Sequence, residues 1–211
     1  LLAAISLYPF VWLIYMTLHE VQLAPGKSDV WTGIDNFKRL FSDKNFAQGW
    51  LLLFKYSALC LTIEITLGVF VAVILNNSRF EKLFITIFLM PMMMAPVVAG
   101  FLYMFLYNGT FGWYFWLLRS LGILDGGSIL GNKFWAMTGV IVTDVWQWTP
   151  LIALITLAGL KRVPQEQLEA NMVDGAGAIR NFFNVALPNL YPFLLIAILL
   201  RFMDNFRFID T

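Results

Sequence analysis

The 211-residue chain is 60% hydrophobic and 13% charged, whereas ordinary globular domains are roughly 45–50% apolar. Its formal net charge of +1 gives no reason to expect nucleic acid or another polyanion as a partner. The single cysteine, Cys60, excludes an intramolecular disulfide. The sequence therefore predicts an all-α protein that crosses a lipid bilayer several times.

Five apolar runs are predicted to span the bilayer, whose hydrocarbon core is roughly 30 Å thick. They cover about 1–18, 50–75, 83–107, 134–160 and 190–202. The chain opens inside the first run without a charged leader, so we expect its natural start to lie upstream. After the first run the composition turns polar, and four apolar residues at helical spacing predict a short interfacial helix there: Ile34, Phe37, Leu40 and Phe41.

A carboxylate, Glu64, lies near the middle of the second span. Ionisable groups at this depth are costly and often functional. The alternative is a structural carboxylate that pairs with a polar group of a neighbouring helix or stays protonated, and the sequence leaves both interpretations open. The only histidine, His19, has no companion ligand in the sequence, so no metal site is predicted.

Two prolines five residues apart, Pro91 and Pro96, interrupt the third span. Each removes a backbone donor, so this helix is predicted to kink or break near its middle. The loop that follows, about 108–132, contains an aromatic stretch that predicts a helix at the membrane surface, with Trp113 to Trp116 as interfacial residues.

The fourth span places polar side chains beside tryptophans, at Asp144, Gln147 and Trp148. Hydrogen-bonding groups next to aromatic faces are typical of carbohydrate recognition. Polar contacts between membrane helices would explain the same composition.

The usual enzyme motifs are missing from the sequence. It contains no GxxxxGK[ST] phosphate loop, no GxSxG elbow and no HExxH pair. One histidine and one cysteine do not supply a convincing nucleophilic relay. The chain is therefore predicted not to be an enzyme and to bind no cofactor itself.

Residues 164–188, between the last two spans, are helical in pattern but too polar for the hydrocarbon core. Pro164 is suited to the first position of a helix, and Gly175 is suited to the left-handed conformation that ends one. A second helix, about 177–186, is predicted to present an apolar stripe: Ile179, Phe182, Phe183 and Ala186. Pro188 is predicted to end this second helix.

The same segment resembles the EAA loop of binding-protein-dependent ABC import permeases, EAA-x3-G-x9-I-x-LP. The matching positions are Glu169, Ala170, Asn171, Gly175, Val185, Leu187 and Pro188. Asn171 replaces the second alanine and Val185 replaces the isoleucine, with the spacing intact. The adjoining stretches LAGLKRVPQEQLEA and DGAG are similar to the carbohydrate-uptake class, which carries sugars, polyols or glycerol phosphate.

The resemblance implies a polytopic membrane helix bundle with a six-helix core, of which five helices fall in this chain and the last is expected beyond it. Residues 1–211 would form one permease domain, truncated at both ends, with a cytoplasmic coupling loop at 162–188. The implied location is the cytoplasmic (inner) membrane of a prokaryote. The implied partners are a second permease subunit, two ABC ATPases that bind ATP and Mg²⁺, and an extracytoplasmic solute-binding protein.

Two sets of functional residues follow from the resemblance. ATPase coupling is assigned to Glu169, Ala170, Asp174, Gly175 and Pro188, and the apolar stripe of the second helix is expected to pack against the permease itself. Sugar contacts in maltose-type relatives come from stretches that match Asp144, Gln147, Trp148, Leu151, Ile198, Phe202 and Asn205 here. This sequence differs from those relatives at most of these positions, so a pocket is expected in the same place without a transferable substrate.

Import of a sugar or polyol is the function that the resemblance favours. The nearest alternative is another small solute such as glycerol 3-phosphate, which should require cations in the cavity. Arg201 and Arg207 could supply them, although Asp204 and Asp210 nearby offset their charge. A non-transporting membrane scaffold or enzyme is the alternative from a different class.

Overall fold

The computed structural model describes residues 2–21, 29–76, 78–124 and 128–207. These residues are helical apart from short turns and one pair of two-residue strands. The helices are α1 Leu2–Leu18, α2 Asp35–Ser42, α3 Lys44–Asn76, α4 Glu81–Phe88, α5 Pro96–Leu106, α6 Trp113–Ser120, α7 Lys133–Leu160, α8 Gln165–Val173, α9 Ala178–Asn181 and α10 Leu187–Phe206. The chain divides into two compact units, Leu1–Phe54 and Lys55–Thr211.

The first unit joins α1 to α2 through a short strand pair. Strand β1 (His19–Glu20) pairs antiparallel with strand β2 (Val30–Trp31). Asn36 of α2 donates hydrogen bonds from its amide to the carbonyls of Thr17 and His19, at 3.1 Å each. The predicted short helix is confirmed as α2, and the apolar residues that predicted it are exposed: Ile34, Phe37, Leu40 and Phe41.

Three helical segments of the described chain are long and apolar enough to cross a membrane: Lys44–Asn76, Lys133–Leu160 and Ala178–Phe206. The third predicted span is broken as expected, because Glu81–Met93 and Pro96–Leu106 meet at 90°. Counting that pair as one span raises the number to four. The first predicted span is the helix α1, whose 17 residues fall short of the roughly 20 that a bilayer usually requires.

The sequence predicted that a helix ends at Pro188 and that the last span begins after it, and this prediction is wrong. The chain continues from α9 through a π-helical turn, Phe182–Ala186, directly into α10. In this turn the N–H of Leu187 donates to the carbonyl of Phe182, five residues back. Pro188 then lies in the first turn of α10, where a residue without an N–H group is tolerated.

The second unit is built around α7, which packs against α3 on one side and α10 on the other. A Cβ atom at Gly68 of α3 would lie 2.7 Å from Cγ2 of Ile152, and one at Gly159 of α7 would lie 2.7 Å from Cδ2 of Leu190. Small residues allow membrane helices to approach this closely. The close packing brings polar side chains of all three helices together.

Candidate functional site

Three charged side chains meet in the interior of the second unit. Arg201 of α10 donates hydrogen bonds from Nε and Nη2 to the two carboxylate oxygens of Glu64 on α3, at 2.9 and 2.7 Å. Nη2 also donates to Oδ2 of Asp144 on α7, at 2.7 Å. The side chains of Glu64 and Arg201 are 0% and 1% exposed, while that of Asp144 is 13% exposed. One guanidinium thus serves two carboxylates, and we call these three residues the charged cluster.

A cavity of about 600 Å³ lies beside the charged cluster, among residues of α5, α7 and α10. Its size is within the range of roughly 300–1,000 Å³ that is usual for small-molecule sites. Asp144 and Arg201 form part of its wall. On the side of α5 the wall is mostly apolar and aromatic, with Val97, Phe101, Tyr103 and Met104.

Two further residues of α7 shape this wall. The guanidinium carbon of Arg201 lies 4.8 Å from the ring centroid of Trp148, a cation–π distance. Gln147 is buried, and its Nε2 donates to the carbonyl of Met94 at 2.9 Å. Met94 lies two residues before the start of α5, so this bond satisfies a carbonyl within the broken span and fixes the break against α7.

Four of the seven residues predicted on the substrate pathway line the cavity: Asp144, Gln147, Trp148 and Asn205. Asn205 is 3% exposed, and its Nδ2 has no hydrogen-bond partner among the described residues. Three predicted residues are not in the cavity wall of this chain: Leu151, Ile198 and Phe202. Phe202 instead packs edge-on against Phe206, with ring centroids 4.7 Å apart.

The sequence placed Arg201 near the end of the last predicted span, as a possible cation of the cavity, but did not reveal its pairing with Glu64. The helix α10 extends to Phe206, and Arg201 is buried in the interior. The usable signal was Glu64, because a carboxylate inside a span requires a basic partner. Of the two interpretations of Glu64, the structure supports the paired carboxylate.

Four of the five predicted coupling residues lie on a separate, exposed element of the second unit. Glu169 and Ala170 are exposed on α8, and Asp174 caps its C-terminus. Gly175 follows with φ +80°, the left-handed conformation that was predicted. Pro188, the last of these residues, lies outside this element, in the first turn of α10.

The apolar stripe predicted for the second helix of this segment is buried only in part. Ala186 is buried and Phe182 is half-buried, whereas Ile179 is 78% exposed and Phe183 is 59% exposed. The stripe was derived from α-helical spacing, but Phe182–Ala186 forms a π-helical turn. Because that turn bonds each residue to the fifth one before it, residues three and four apart no longer share a face.

Comparison with known proteins supplies a family context. Residues 64–209 match the sequence profile of the binding-protein-dependent transport system inner membrane component family. The trehalose/maltose transport system permease protein MalF of Thermococcus litoralis is 30% identical over 96% of this chain and 68% of its own length. The trehalose transport system permease protein SugA of Mycobacterium tuberculosis is 29% identical over 100% of this chain and 67% of its own.

A further relative is the sn-glycerol-3-phosphate transport system permease protein UgpA of Yersinia pestis, 33% identical over 88% of this chain and 64% of its own length. The chain thus spans about two thirds of the length of these relatives. A chain of a bacterial ABC transporter involved in import of the acidic polysaccharide alginate has a similar structure, with a TM-score of 0.73 over 95% of this chain and 71% of that chain. At 20% sequence identity, this similarity concerns the fold.

Proposed function

Because this chain belongs to the binding-protein-dependent transport system inner membrane component family and is a permease subunit of an ABC importer, we propose that it carries a neutral sugar or polyol through its cavity. The chain is a multi-pass inner-membrane protein and is not itself catalytic. The observation that carries the choice of a neutral solute is the pairing of Arg201 with Glu64.

An anionic solute such as glycerol 3-phosphate would require a cation that is free to bind phosphate oxygens. Arg201 uses Nε and Nη2 for Glu64 and Asp144, and its Nη1 lies 4.0 Å from Asp204. Arg207, the second cation of the wall, shares that wall with Asp204. The wall therefore carries two arginines and two carboxylates, Asp144 and Asp204, and a third carboxylate, Glu64, lies behind it. This balance of charge disfavours the binding of an anionic solute.

The same wall offers the groups that a polyhydroxylated neutral ligand uses. Asp144 provides carboxylate oxygens that accept hydrogen bonds from hydroxyl groups. Asn205 provides a buried amide donor that has no partner among the described residues. The aromatic face of Trp148 is suited to the apolar face of a sugar ring. Hydrogen-bond donors and acceptors next to an aromatic surface support a carbohydrate or polyol as the substrate class.

The remaining parts of the proposed transporter lie on partner chains. A second permease subunit would complete the pathway, a solute-binding protein would deliver the substrate, and two ATPases would bind ATP and Mg²⁺. The exposed, polar surface of α8, which carries Glu169 and Ala170, is the proposed docking element for an ATPase. Closure of the ATPases would shift the transporter between inward-open and outward-open states.

Reconstitution of the complete transporter in proteoliposomes tests this function. We expect ATP-dependent uptake of labelled trehalose or another neutral sugar, and we expect Glu169→Lys to abolish both uptake and retention of the ATPase during purification. The matched control is Glu20→Lys, which makes the same charge change at an exposed position of β1. Normal uptake by Glu169→Lys, or uptake without an ATPase, would contradict the proposal.

A further inference from the structure

Side-chain amides connect α8 to the segment that leads into the last span. Asn171 Nδ2 donates to Asn181 Oδ1 at 2.9 Å, and Asn181 Nδ2 donates to the carbonyl of Leu168 at 3.3 Å. A second contact joins Asn189 Nδ2 to Gln167 Oε1 at 3.1 Å. We call Gln167, Asn171, Asn181 and Asn189 the amide clasp.

The clasp is a large part of what holds α8 in place. Within α8 only Leu168 and Asn171 are half-buried, and the other residues of this helix are exposed. In the described chain, the side-chain hydrogen bonds between α8 and residues 178–206 all belong to the clasp. Little apolar packing therefore fixes the orientation of α8, and the buried amide of Asn181, 9% exposed, is its main inner support.

Asn171 occupies the position at which the EAA loop has its second alanine. An alanine there could not bond to Asn181, and the buried amide of Asn181 would lose a partner. An unsatisfied buried polar group is unfavourable by more than the net gain of an average hydrogen bond. Asn171, which replaces the alanine of the motif, is thus paired with Asn181, ten residues later in the chain.

The clasp also lies at one end of a continuous helical path to the cavity. From Asn181 the chain remains helical through the π turn and α10 to Arg201 and Asn205 in the cavity wall. This path is about 30 Å long at the usual rise per residue. A displacement of α8 is transmitted to the cavity wall along this path only if α8 stays fixed against the start of the path at Asn181.

We propose that Asn171 and Asn181 are positioning residues that make α8 and the last span move as one body, so that work done by the ATPase reaches the cavity. The inference rests on the proposed function, because it assumes that an ATPase moves α8. Removal of the clasp should then uncouple ATP hydrolysis from transport and leave the assembled complex intact.

The test measures labelled trehalose taken up per ATP hydrolysed in proteoliposomes that contain the complete transporter. Asn171→Ala and Asn181→Ala should each lower this ratio about three- to tenfold, the effect of losing one hydrogen bond, and the double variant should lower it no further than the worse single variant. Asn171→Ala restores the alanine of the EAA motif and raises helix propensity, so folding is expected to be retained. Asn181→Asp keeps the acceptor for Asn171 and should retain more coupling than Asn181→Ala.

Asn184→Ala is the matched control, because Asn184 is exposed in the same π turn. It should leave the ratio unchanged. An unchanged ratio in Asn171→Ala would overturn the inference, as would a loss of assembly and ATPase activity in proportion to uptake, which would mark a purely structural contact. Absence of ATP-driven uptake of every neutral sugar and polyol tested with the wild type would overturn the proposed function, and the inference with it. Coupled transport in the wild type with equal coupling in the variants would overturn the inference alone.

Discussion

Arg201 and Glu64 lie 137 positions apart in the chain and form two hydrogen bonds, of 2.9 and 2.7 Å, in the interior of the second unit. This contact ties the last span to α3, and the bond from Arg201 to Asp144 adds α7. The three helices that enclose the charged cluster therefore share one buried guanidinium. The cluster both holds the helices together and sets the charge of the cavity wall.

The first prediction concerns the stability of the charged cluster. Arg201→Met should lower the free energy of unfolding by about 3–5 kcal/mol, because removal of one partner leaves buried charge unpaired. Glu64→Leu should have a smaller effect, since Arg201 keeps its bond to Asp144. The double variant should be more stable than the sum of the single effects predicts, as measured by thermal unfolding of the purified protein in detergent.

Lys161→Met is the control for this series. Lys161 pairs with Glu81 at a position that is 50% exposed, and exposed ion pairs contribute roughly 0–1 kcal/mol. Strict additivity of the Glu64 and Arg201 effects would contradict the contact that the structure shows.

A second prediction concerns the contact between α3 and α7. Gly68→Ala should lower stability by about 1–3 kcal/mol, because its Cβ would lie 2.7 Å from Ile152. Gly100→Ala is the matched control, since a Cβ at Gly100 meets no atom within 4 Å. The change in unfolding temperature should separate the two variants, and equal temperatures would show that the helices are less closely packed than described.

A third prediction concerns the turn after α8. Gly175→Ala should strain the turn by about 1–2 kcal/mol, because residues with a Cβ disfavour the left-handed conformation that Gly175 adopts at φ +80°. The expected result is reduced ATP-dependent uptake with normal insertion into the membrane. Gly177→Ala, at a φ of −71° and with open space around it, should transport normally. Equal uptake by the two variants would show that the conformation of Gly175 is not required.

A fourth prediction tests the bond between α7 and the broken span. Gln147→Leu leaves the carbonyl of Met94 without its donor, a change worth about 1–3 kcal/mol, and removes a polar group from the cavity wall. We expect uptake to fall about tenfold or more while assembly and basal ATPase activity persist. The control is Thr138→Val, at a half-buried position of the same helix whose hydroxyl donates only to the carbonyl of Phe134 in that helix. Unchanged uptake in Gln147→Leu would identify Gln147 as a structural residue only.

The elements of the fold that could be predicted are those that depend on local sequence. The long apolar runs of α3 and α7, the break between Pro91 and Pro96, and the left-handed Gly175 follow from hydrophobicity and backbone chemistry alone. The continuous path from α9 into α10 could not be predicted, because the π turn changes the hydrogen-bond pattern before Pro188 without a local sequence signal.

The candidate site was predicted in part. The composition of α7 left two interpretations of Asp144 and Gln147 open, carbohydrate recognition and contacts between helices, and a pocket at these residues was expected from the family resemblance. The pairing of Glu64 with Arg201 depends on the packing of helices far apart in sequence, and periodicity within one helix carries no information on which helix is its neighbour. The sequence could therefore state that Glu64 needs a partner but not which residue it is.

Substrate selectivity tests the central claim most directly. The measurement is ATP-dependent uptake by the reconstituted transporter, with its solute-binding protein, of labelled glycerol 3-phosphate and of a panel of labelled neutral sugars and polyols that includes trehalose and maltose. Because Glu64 and Asp144 engage Arg201, we expect a neutral solute to be carried about tenfold faster or more than glycerol 3-phosphate. Transport of glycerol 3-phosphate in preference to every neutral solute of the panel would contradict the account.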